Sequence, residues 1–206
     1  MRHGQTEYNL NQIMQGRRIN AALNATGREQ AAALGDRFAK VRLDAVYASS
    51  LRRAIETAEA IVKRQSKALS VRCRSAFDEM CWGEYEGVPS GDRLEQMLRQ
   101  IRGEWKAGNF GFTVKEGESI LNVQQRAMEG LRDVVEHHRG QTVLIASHGR
   151  LLRVLLSSLL PEYGLSRMND LGHHNTCVNE IIFDGHRYRA VTLNCVRHLS
   201  AYHNAA

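Results

Sequence analysis

The stretch from Thr142 to Ala146 constrains the fold more than any other part of this sequence. After its first threonine it is an unbroken apolar run, which is typical of a parallel strand that is buried on both faces. It ends at the group Ser147-His148-Gly149, and a helical pattern begins at Arg150. Because a buried parallel strand needs helices on both faces of its sheet, this segment by itself favours an α/β fold.

The same alternation of strand and helix patterns runs through most of the 206 residues. The predicted strands are 44–48, 69–73, 142–146, 178–183 and 188–193, and the predicted helices start at Thr26, Leu51, Asp92, Ser119 and Arg150. Asp184-Gly185 predicts a hairpin between the last two strands. We therefore predict a single domain over residues 1–206, a three-layer α/β/α sandwich around a mainly parallel mixed sheet.

The formal net charge of +6 indicates an anionic partner. The distribution of the charges helps to decide whether that partner is nucleic acid, a membrane surface or a small metabolite. Basic residues are scattered, and aromatic residues make up only 6% and do not interleave with them as a nucleic-acid stacking platform requires. The longest apolar patch, Leu151 to Leu160, is too short for a membrane span and is interrupted by Arg153. The four cysteines form no CxxC pair, as expected of reduced thiols. We expect a small anionic metabolite, no nucleic acid, no membrane, and a cytoplasmic location with the nucleus as alternative.

The first residues, Arg2-His3-Gly4, suit the capture of a phosphate. A guanidinium offers a planar fork of donors to phosphate oxygens, and a neutral imidazole nitrogen can attack phosphorus. Glycine lets a phosphate approach the backbone closely. On its own this tripeptide also fits a basic surface turn, so the other groups of a phosphoryl-transfer site must be found elsewhere.

The predicted strand ends supply those groups, because ligands of open α/β sheets bind beyond the carboxyl ends of the strands. Arg53 follows one strand, His148 ends another, and Glu79 in a nearby loop could protonate a leaving alkoxide. Glu84 and Glu86 are the alternative proton donors. Taken singly, Arg53 also fits a solvated helix arginine, His148 a capped turn and Glu79 a surface carboxylate.

Short motifs strengthen the functional interpretation because they occur in a fixed order along nearly the whole chain. They are RHGQTEYN at 2–9, QG at 15–16, SSLRRA at 49–54 with TA at 57–58, FDE at 77–79 with EG at 86–87, GES at 117–119 and HG at 148–149. In this order they closely resemble the histidine phosphatase superfamily, also called phosphoglycerate mutase-like.

The resemblance implies a role for each matching residue. His3 is the nucleophile that becomes phosphohistidine, Glu79 is the proton donor and acceptor, and the phosphoryl group is bound by Arg2, Arg53 and His148. The implied substrate-binding residues are Gly4, Asn9, Gln15, Gly16 and Gly149. The resemblance implies no metal and no organic cofactor, and it gives a small phosphorylated metabolite as the partner. The sequence leaves open whether the protein forms a homodimer.

Two features depart from the family pattern. Ser50 replaces a usual proline, which a turn should tolerate. Only Met1 precedes Arg2, whereas family members carry a central apolar strand there, so the first strand is expected to be truncated and its neighbours to have exposed edges. We hypothesise that this sequence is an N-terminally shortened version of an active enzyme whose nucleophile is poorly supported.

Three functions compete on these grounds. The preferred one is a metal-independent phosphatase of small phosphomonoesters, such as sugar phosphates, and the alternative is a cofactor-dependent phosphoglycerate mutase. Mutases of this family carry a longer insertion and an RHY-type segment after the catalytic glutamate, whereas Met80 to Gly83 follows here. The third is a non-catalytic regulatory member, because the first strand is short. Residues 88–115 are predicted to be a substrate-covering insertion.

A second anionic subsite was also considered for the basic residues Arg17, Arg18 and Arg93. A solvated surface is the preferred interpretation for all three.

Overall fold

The computed structural model describes residues 1–200. Its α-helices are α1 (Glu7–Leu10), α2 (Ala25–Phe38), α3 (Arg52–Val62), α4 (Asp92–Lys106), α5 (Ile120–His137) and α6 (Gly149–Leu159), and its strands are β1 (Ala45–Ala48), β2 (Val71–Cys73), β3 (Val143–Ala146), β4 (Val178–Phe183) and β5 (Tyr188–Cys195). Short 3-10 helices cover Ser75–Phe77, Gly83–Tyr85, Leu165–Asp170 and Arg197–Leu199.

The strands form a parallel sheet and an antiparallel hairpin. β1 lies in the centre of the parallel sheet, in the order β2-β1-β3, with Val46 opposite both Val71 and Leu144. β4 and β5 pair as predicted across the Asp184-Gly185 turn, where Gly185 has a φ of 98°, a conformation that glycine adopts without strain. The structure therefore contains both the predicted parallel strands and the predicted hairpin.

Helices cover both faces of the parallel sheet, which confirms the predicted sandwich. On β1, Val46 and Ala48 pack into a core with Ile61 of α3 and Leu34 of α2. Tyr47, on the opposite face, packs with Phe77 and Val134 of α5. Because successive side chains of β1 point to opposite faces, this one strand packs against both outer layers.

A third and larger core lies beyond the carboxyl end of the sheet. It is built from α4, α5 and α6, and Ile101, Trp105, Ile120 and Leu151 are at most 1% exposed within it. This core includes residues of both α4 and α6, and both helices supply residues to the site described below.

Residues 1–3 bridge the parallel sheet and the hairpin. The amino group of Met1 donates to Ile145 O at 2.8 Å, and His3 N donates to Ser147 O at 3.0 Å. On the other side Arg2 N donates to Cys177 O at 3.2 Å. Met1 is only 7% exposed. The expectation that this end is poorly supported is therefore wrong, because backbone hydrogen bonds hold it on both sides.

Two boundaries differ from the sequence prediction. The N-cap of α2 is Asn24, whose side chain accepts a 2.8 Å hydrogen bond from Gly27 N, so Thr26 lies inside the first turn. β2 begins at Val71, two residues after the predicted start.

The N-terminus of α2 packs tightly on the segment after His3, since a Cβ on Gly4 would lie 2.5 Å from Gly27 O. Glycine is required at position 4 for this close approach.

Candidate active site

His3, Arg53 and His148 meet at the carboxyl ends of β1 and β3. The imidazole centroids of His3 and His148 are 5.1 Å apart, and Arg53 Nε lies 3.2 Å from His148 Nδ1. All three side chains are buried, at most 3% exposed. The fold therefore brings together three of the five predicted catalytic residues in one buried cluster.

The hydrogen bond of His3 decides which of its nitrogens is free. Nδ1 lies 2.7 Å from Gly4 O, and since a carbonyl only accepts, Nδ1 carries the proton. Burial, together with the guanidinium groups of Arg53 and Arg2, lowers the pKa of His3 well below the ordinary 6.5. The imidazole is therefore neutral at pH 7, with a free lone pair on Nε2.

A chain of hydrogen bonds fixes the opposite tautomer on His148. Because Arg53 Nε can only donate, His148 Nδ1 accepts, and Nε2 donates to Ser49 Oγ at 2.7 Å. Ser49 Oγ in turn donates to Asp78 Oδ1 at 2.7 Å. Burial and the charge of Arg53 lower the pKa of His148 well below its ordinary value. His148 is a neutral, oriented group whose two nitrogens both contact protein.

Arg53 is held as a buried cation by backbone carbonyls. Its Nη1 donates to Ile19 O at 2.7 Å and its Nη2 to Gly16 O at 3.2 Å. With its amide oriented to match donors with acceptors, Gln15 accepts from Arg53 Nη1 at 3.0 Å and donates to Thr6 Oγ1 at 2.7 Å. Burial lowers the pKa of Arg53 to about 10, so the guanidinium stays charged at pH 7. Gln15 and Gly16 therefore position Arg53.

Arg2 approaches the cluster from the hairpin side. Its Nη1 donates to His173 O at 2.6 Å, and its buried Nε has no partner among residues 1–200. Gly149 faces it, since a Cβ there would lie 3.6 Å from Arg2 Nε. A buried guanidinium nitrogen without a partner is a donor available to an anionic ligand.

Glu79 is buried at the N-terminus of α6, and the residue as a whole is 7% exposed. Its Oε1 accepts from Met80 N at 2.9 Å and Leu151 N at 3.0 Å, and its Oε2 accepts from Arg150 N at 3.1 Å. Because Oε2 has a single backbone partner, it keeps an acceptor position for a proton.

The two alternative proton donors lie elsewhere. Glu86 accepts from Trp82 N at 3.0 Å and Arg18 N at 2.8 Å, and Glu84 is an exposed partner of Arg93. Neither lines the cavity beside the cluster.

Arg126 clamps the loop that carries Glu79. Its guanidinium donates to Asp78 O at 2.7 Å and Glu79 O at 3.1 Å, and it pairs with Glu118 at 2.8 Å. Glu118 also accepts from Cys81 N at 2.8 Å. The glutamate of the GES motif therefore acts on the site through this loop, a role that the sequence did not reveal.

A cavity of about 380 Å³ opens beside the cluster, which is the size of a small-metabolite site. Of the predicted residues, those lining it are Arg2, Asn9, Gln15, Glu79 and Gly149. Gly4 and Gly16 lie behind it, where Gly4 packs on Gly27 and Gly16 contacts Arg53. Their predicted contact with substrate stays a prediction. Ser90, Leu94, Leu98 and Arg102 of the segment 88–115 also line this cavity.

Four basic residues of the cavity lining were not identified as site residues from the sequence. They are Arg102, Arg150, Arg153 and His173. Arg150 and Arg153 are three apart in the first turns of α6, directly after His148-Gly149, so helical spacing could have placed both beside the site. His173 is buried, and burial lowers its pKa to about 3.

The basic residues first considered for a second subsite are neutralised by carboxylates. Arg17 pairs with Asp78 and Glu118, Arg18 with Glu116, and Arg93 with Glu84. Within the described chain, no group of three His, Cys, Asp or Glu side chains is arranged to hold a metal ion. In the same residues, no helix is long and apolar enough to span a membrane.

The buried imidazoles make stability depend on pH. His3, His148 and His173 have lowered pKa values in the folded protein, so the unfolded chain binds more protons, and stability falls as pH drops below about 6.5. Each imidazole should cost about 1 kcal/mol of unfolding free energy between pH 7.5 and pH 5.5. Urea unfolding at the two pH values measures this loss. His3→Asn, which removes one buried imidazole, should show a smaller decline, and an equal decline would contradict this account.

Comparison with known proteins finds relatives over nearly the whole chain. A family model described as the histidine phosphatase superfamily, branch 1, matches residues 1–196. "Putative phosphoserine phosphatase 2" of Hydrogenobacter thermophilus is 32% identical over 198 residues, covering 96% of this chain and 95% of that protein. The structure of mycobacterial glucosyl-3-phosphoglycerate phosphatase with VO3 is 26% identical, with a TM-score of 0.82 over 94% of this chain and 96% of that one. A phosphoserine phosphatase mutant from Entamoeba histolytica, solved with phosphoserine, is 25% identical, with a TM-score of 0.82 over 96% of each chain.

Proposed function

Because the chain belongs to the histidine phosphatase superfamily, we propose that it hydrolyses small phosphomonoesters through a phosphohistidine formed on His3. The observation that carries this proposal is the tautomer of His3. Its Nδ1 proton is engaged by Gly4 O, which leaves the Nε2 lone pair of a neutral imidazole as the nucleophile. Relatives named for phosphoserine and for glucosyl-3-phosphoglycerate support a small phosphorylated metabolite as the substrate.

In the first step Nε2 of His3 attacks the phosphorus, the P–N bond forms, and the bond from phosphorus to the ester oxygen breaks. Glu79, as the carboxylic acid, gives its proton to the departing alkoxide through Oε2. Arg2 and Arg53 stabilise the charge on the transferring oxygens, and His148 holds Arg53 beside His3. The product of this step is the free alcohol.

In the second step a water attacks the phosphohistidine. The Glu79 carboxylate takes a proton from this water, the P–N bond breaks, and inorganic phosphate leaves. His3 regains its lone pair and Glu79 its proton, so the cycle consumes one water for each ester. No metal ion takes part in the proposed steps.

The direct test is hydrolysis of p-nitrophenyl phosphate by the purified protein. We expect release of nitrophenol and inorganic phosphate at the same rate with and without EDTA, since the protein's own cations bind the phosphoryl group. Loss of activity in EDTA with recovery on adding a divalent cation would contradict the metal-independent mechanism. Interconversion of 2- and 3-phosphoglycerate faster than hydrolysis of either would identify the alternative, a mutase. Absence of both activities would favour the non-catalytic alternative.

A further inference from the structure

The cavity beside His3 contains more positive charge than a single phosphoryl group needs. Four arginines, Arg2, Arg102, Arg150 and Arg153, line it within the described chain, and the lining has one carboxylate, Glu79. Arg2, together with the buried Arg53, is assigned to the transferring phosphoryl group. The other three arginines of the lining therefore lack a role in the proposed reaction.

Arg150 is held rigidly in the cavity lining. Its guanidinium carbon lies 4.8 Å from the ring centroid of Trp105 and 5.7 Å from that of Trp82, so the cation is stacked on two indoles. Nη1 donates to Asn169 Oδ1 at 2.8 Å, but the buried Nε has no partner in residues 1–200. A fixed guanidinium with a free buried donor is a preorganised anion-binding group.

The three arginines repel one another. Burial and the charges of Arg153 and Arg102 lower the pKa of Arg150 to about 9, so it stays protonated at pH 7. Arg153 donates to Leu171 O at 2.8 Å, a neutral partner. Among residues 1–200, none of the three forms an ion pair with a carboxylate, in contrast to Arg17, Arg18 and Arg93. A cluster of like charges in a cavity is unfavourable unless an anion binds there.

We propose that the substrate carries a second anionic group, a carboxylate or a second phosphate, which binds to Arg102, Arg150 and Arg153. This inference rests on the proposed phosphatase function and narrows its substrate class. Arg102 is exposed on α4 and closes the cavity from the segment 88–115, whereas Arg150 and Arg153 project from α6. The anionic group that distinguishes one metabolite from another would thus bind between α4 and α6.

The test compares kcat/KM for substrates that differ only in the second anion. O-phosphoserine is compared with O-phosphoethanolamine, which lacks the carboxylate, and fructose 1,6-bisphosphate with fructose 6-phosphate, which lacks one phosphate. We expect the anionic member of at least one pair to be preferred by about 10- to 100-fold, as charge-assisted hydrogen bonds provide. The pair that shows the preference identifies the second group.

Variants locate the preference. Arg102→Gln should reduce the ratio within the preferred pair toward one, and Arg150→Lys, which keeps the charge but loses the planar fork, should reduce it in part. Arg99→Gln is the matched control, because Arg99 lies on the same helix and pairs with Glu95, and it should leave the ratio unchanged.

Two further outcomes separate this inference from the function on which it rests. If p-nitrophenyl phosphate is hydrolysed but neither pair shows a preference, or the preference survives Arg102→Gln, the second subsite is wrong and the phosphatase stands. If no phosphomonoester is hydrolysed at all, the proposed function fails, and the inference fails with it.

Discussion

Replacing His3 with alanine should abolish hydrolysis of p-nitrophenyl phosphate, with a loss of at least about ten-thousand-fold in kcat. The reason is that the variant lacks the atom that forms the P–N bond, and the remaining arginines bind phosphate without a nucleophile. Rapid quenching of the native protein with labelled substrate should trap an acid-labile phosphoenzyme, and the variant should give none.

The matched control is His137→Ala, because His137 is an exposed histidine at the end of α5. It should retain full activity and full labelling. A His3→Ala protein that kept its thermal unfolding temperature and more than a tenth of the native kcat would refute the proposed nucleophile. Binding of vanadate by the variant, measured by calorimetry, would show that the phosphoryl site is still assembled.

Replacing Glu79 with glutamine should have a smaller effect that depends on the leaving group. Loss of the acid should lower kcat on an alkyl phosphate by about 100- to 10,000-fold. Nitrophenolate leaves without a proton, so the first step on p-nitrophenyl phosphate should proceed. The second step still needs a base for water, and the variant should therefore release a burst of nitrophenol followed by a slow phase.

The control for this variant is Glu84→Gln, because Glu84 is an exposed carboxylate on the neighbouring 3-10 helix. It should show native rates on both substrates. Equal losses on the alkyl and the aryl ester, without a burst, would mean that Glu79 organises the N-terminus of α6 and takes no part in proton transfer.

The sequence predicted the fold, and it predicted which side chains would meet at the edge of the sheet, because both depend on local patterns. The strand from Val143 to Ala146 and the turn at His148 are adjacent in the chain, so their relation is readable from spacing. His3, Arg53 and Glu79 could be selected because strand ends share one edge of a sheet. These inferences need no knowledge of how distant helices pack.

The contributions of Arg102 and His173 to the cavity were not predictable, because they depend on how elements distant in sequence pack. Arg102 lies on α4, an amphipathic helix with polar residues over most of its surface, and its sequence does not show which polar residue faces the cavity. His173 acts through its backbone oxygen, which accepts from Arg2, and a carbonyl contact leaves no residue-type signature. The support of Met1 likewise comes from main-chain atoms of β3.

The hydrogen bonds that hold residues 1–3 have a consequence for the order in which parts of the chain fold. The hydrogen bond from Met1 to Ile145 spans 144 residues, and the contact of Arg2 with His173 spans 171. Contacts so distant in sequence close late in folding, after the helices and local strand pairs have formed. During synthesis His3 leaves the ribosome long before its partners at 145–148 and 173–177. We therefore expect the proposed site to be completed among the last events of folding, after the sheet core is buried.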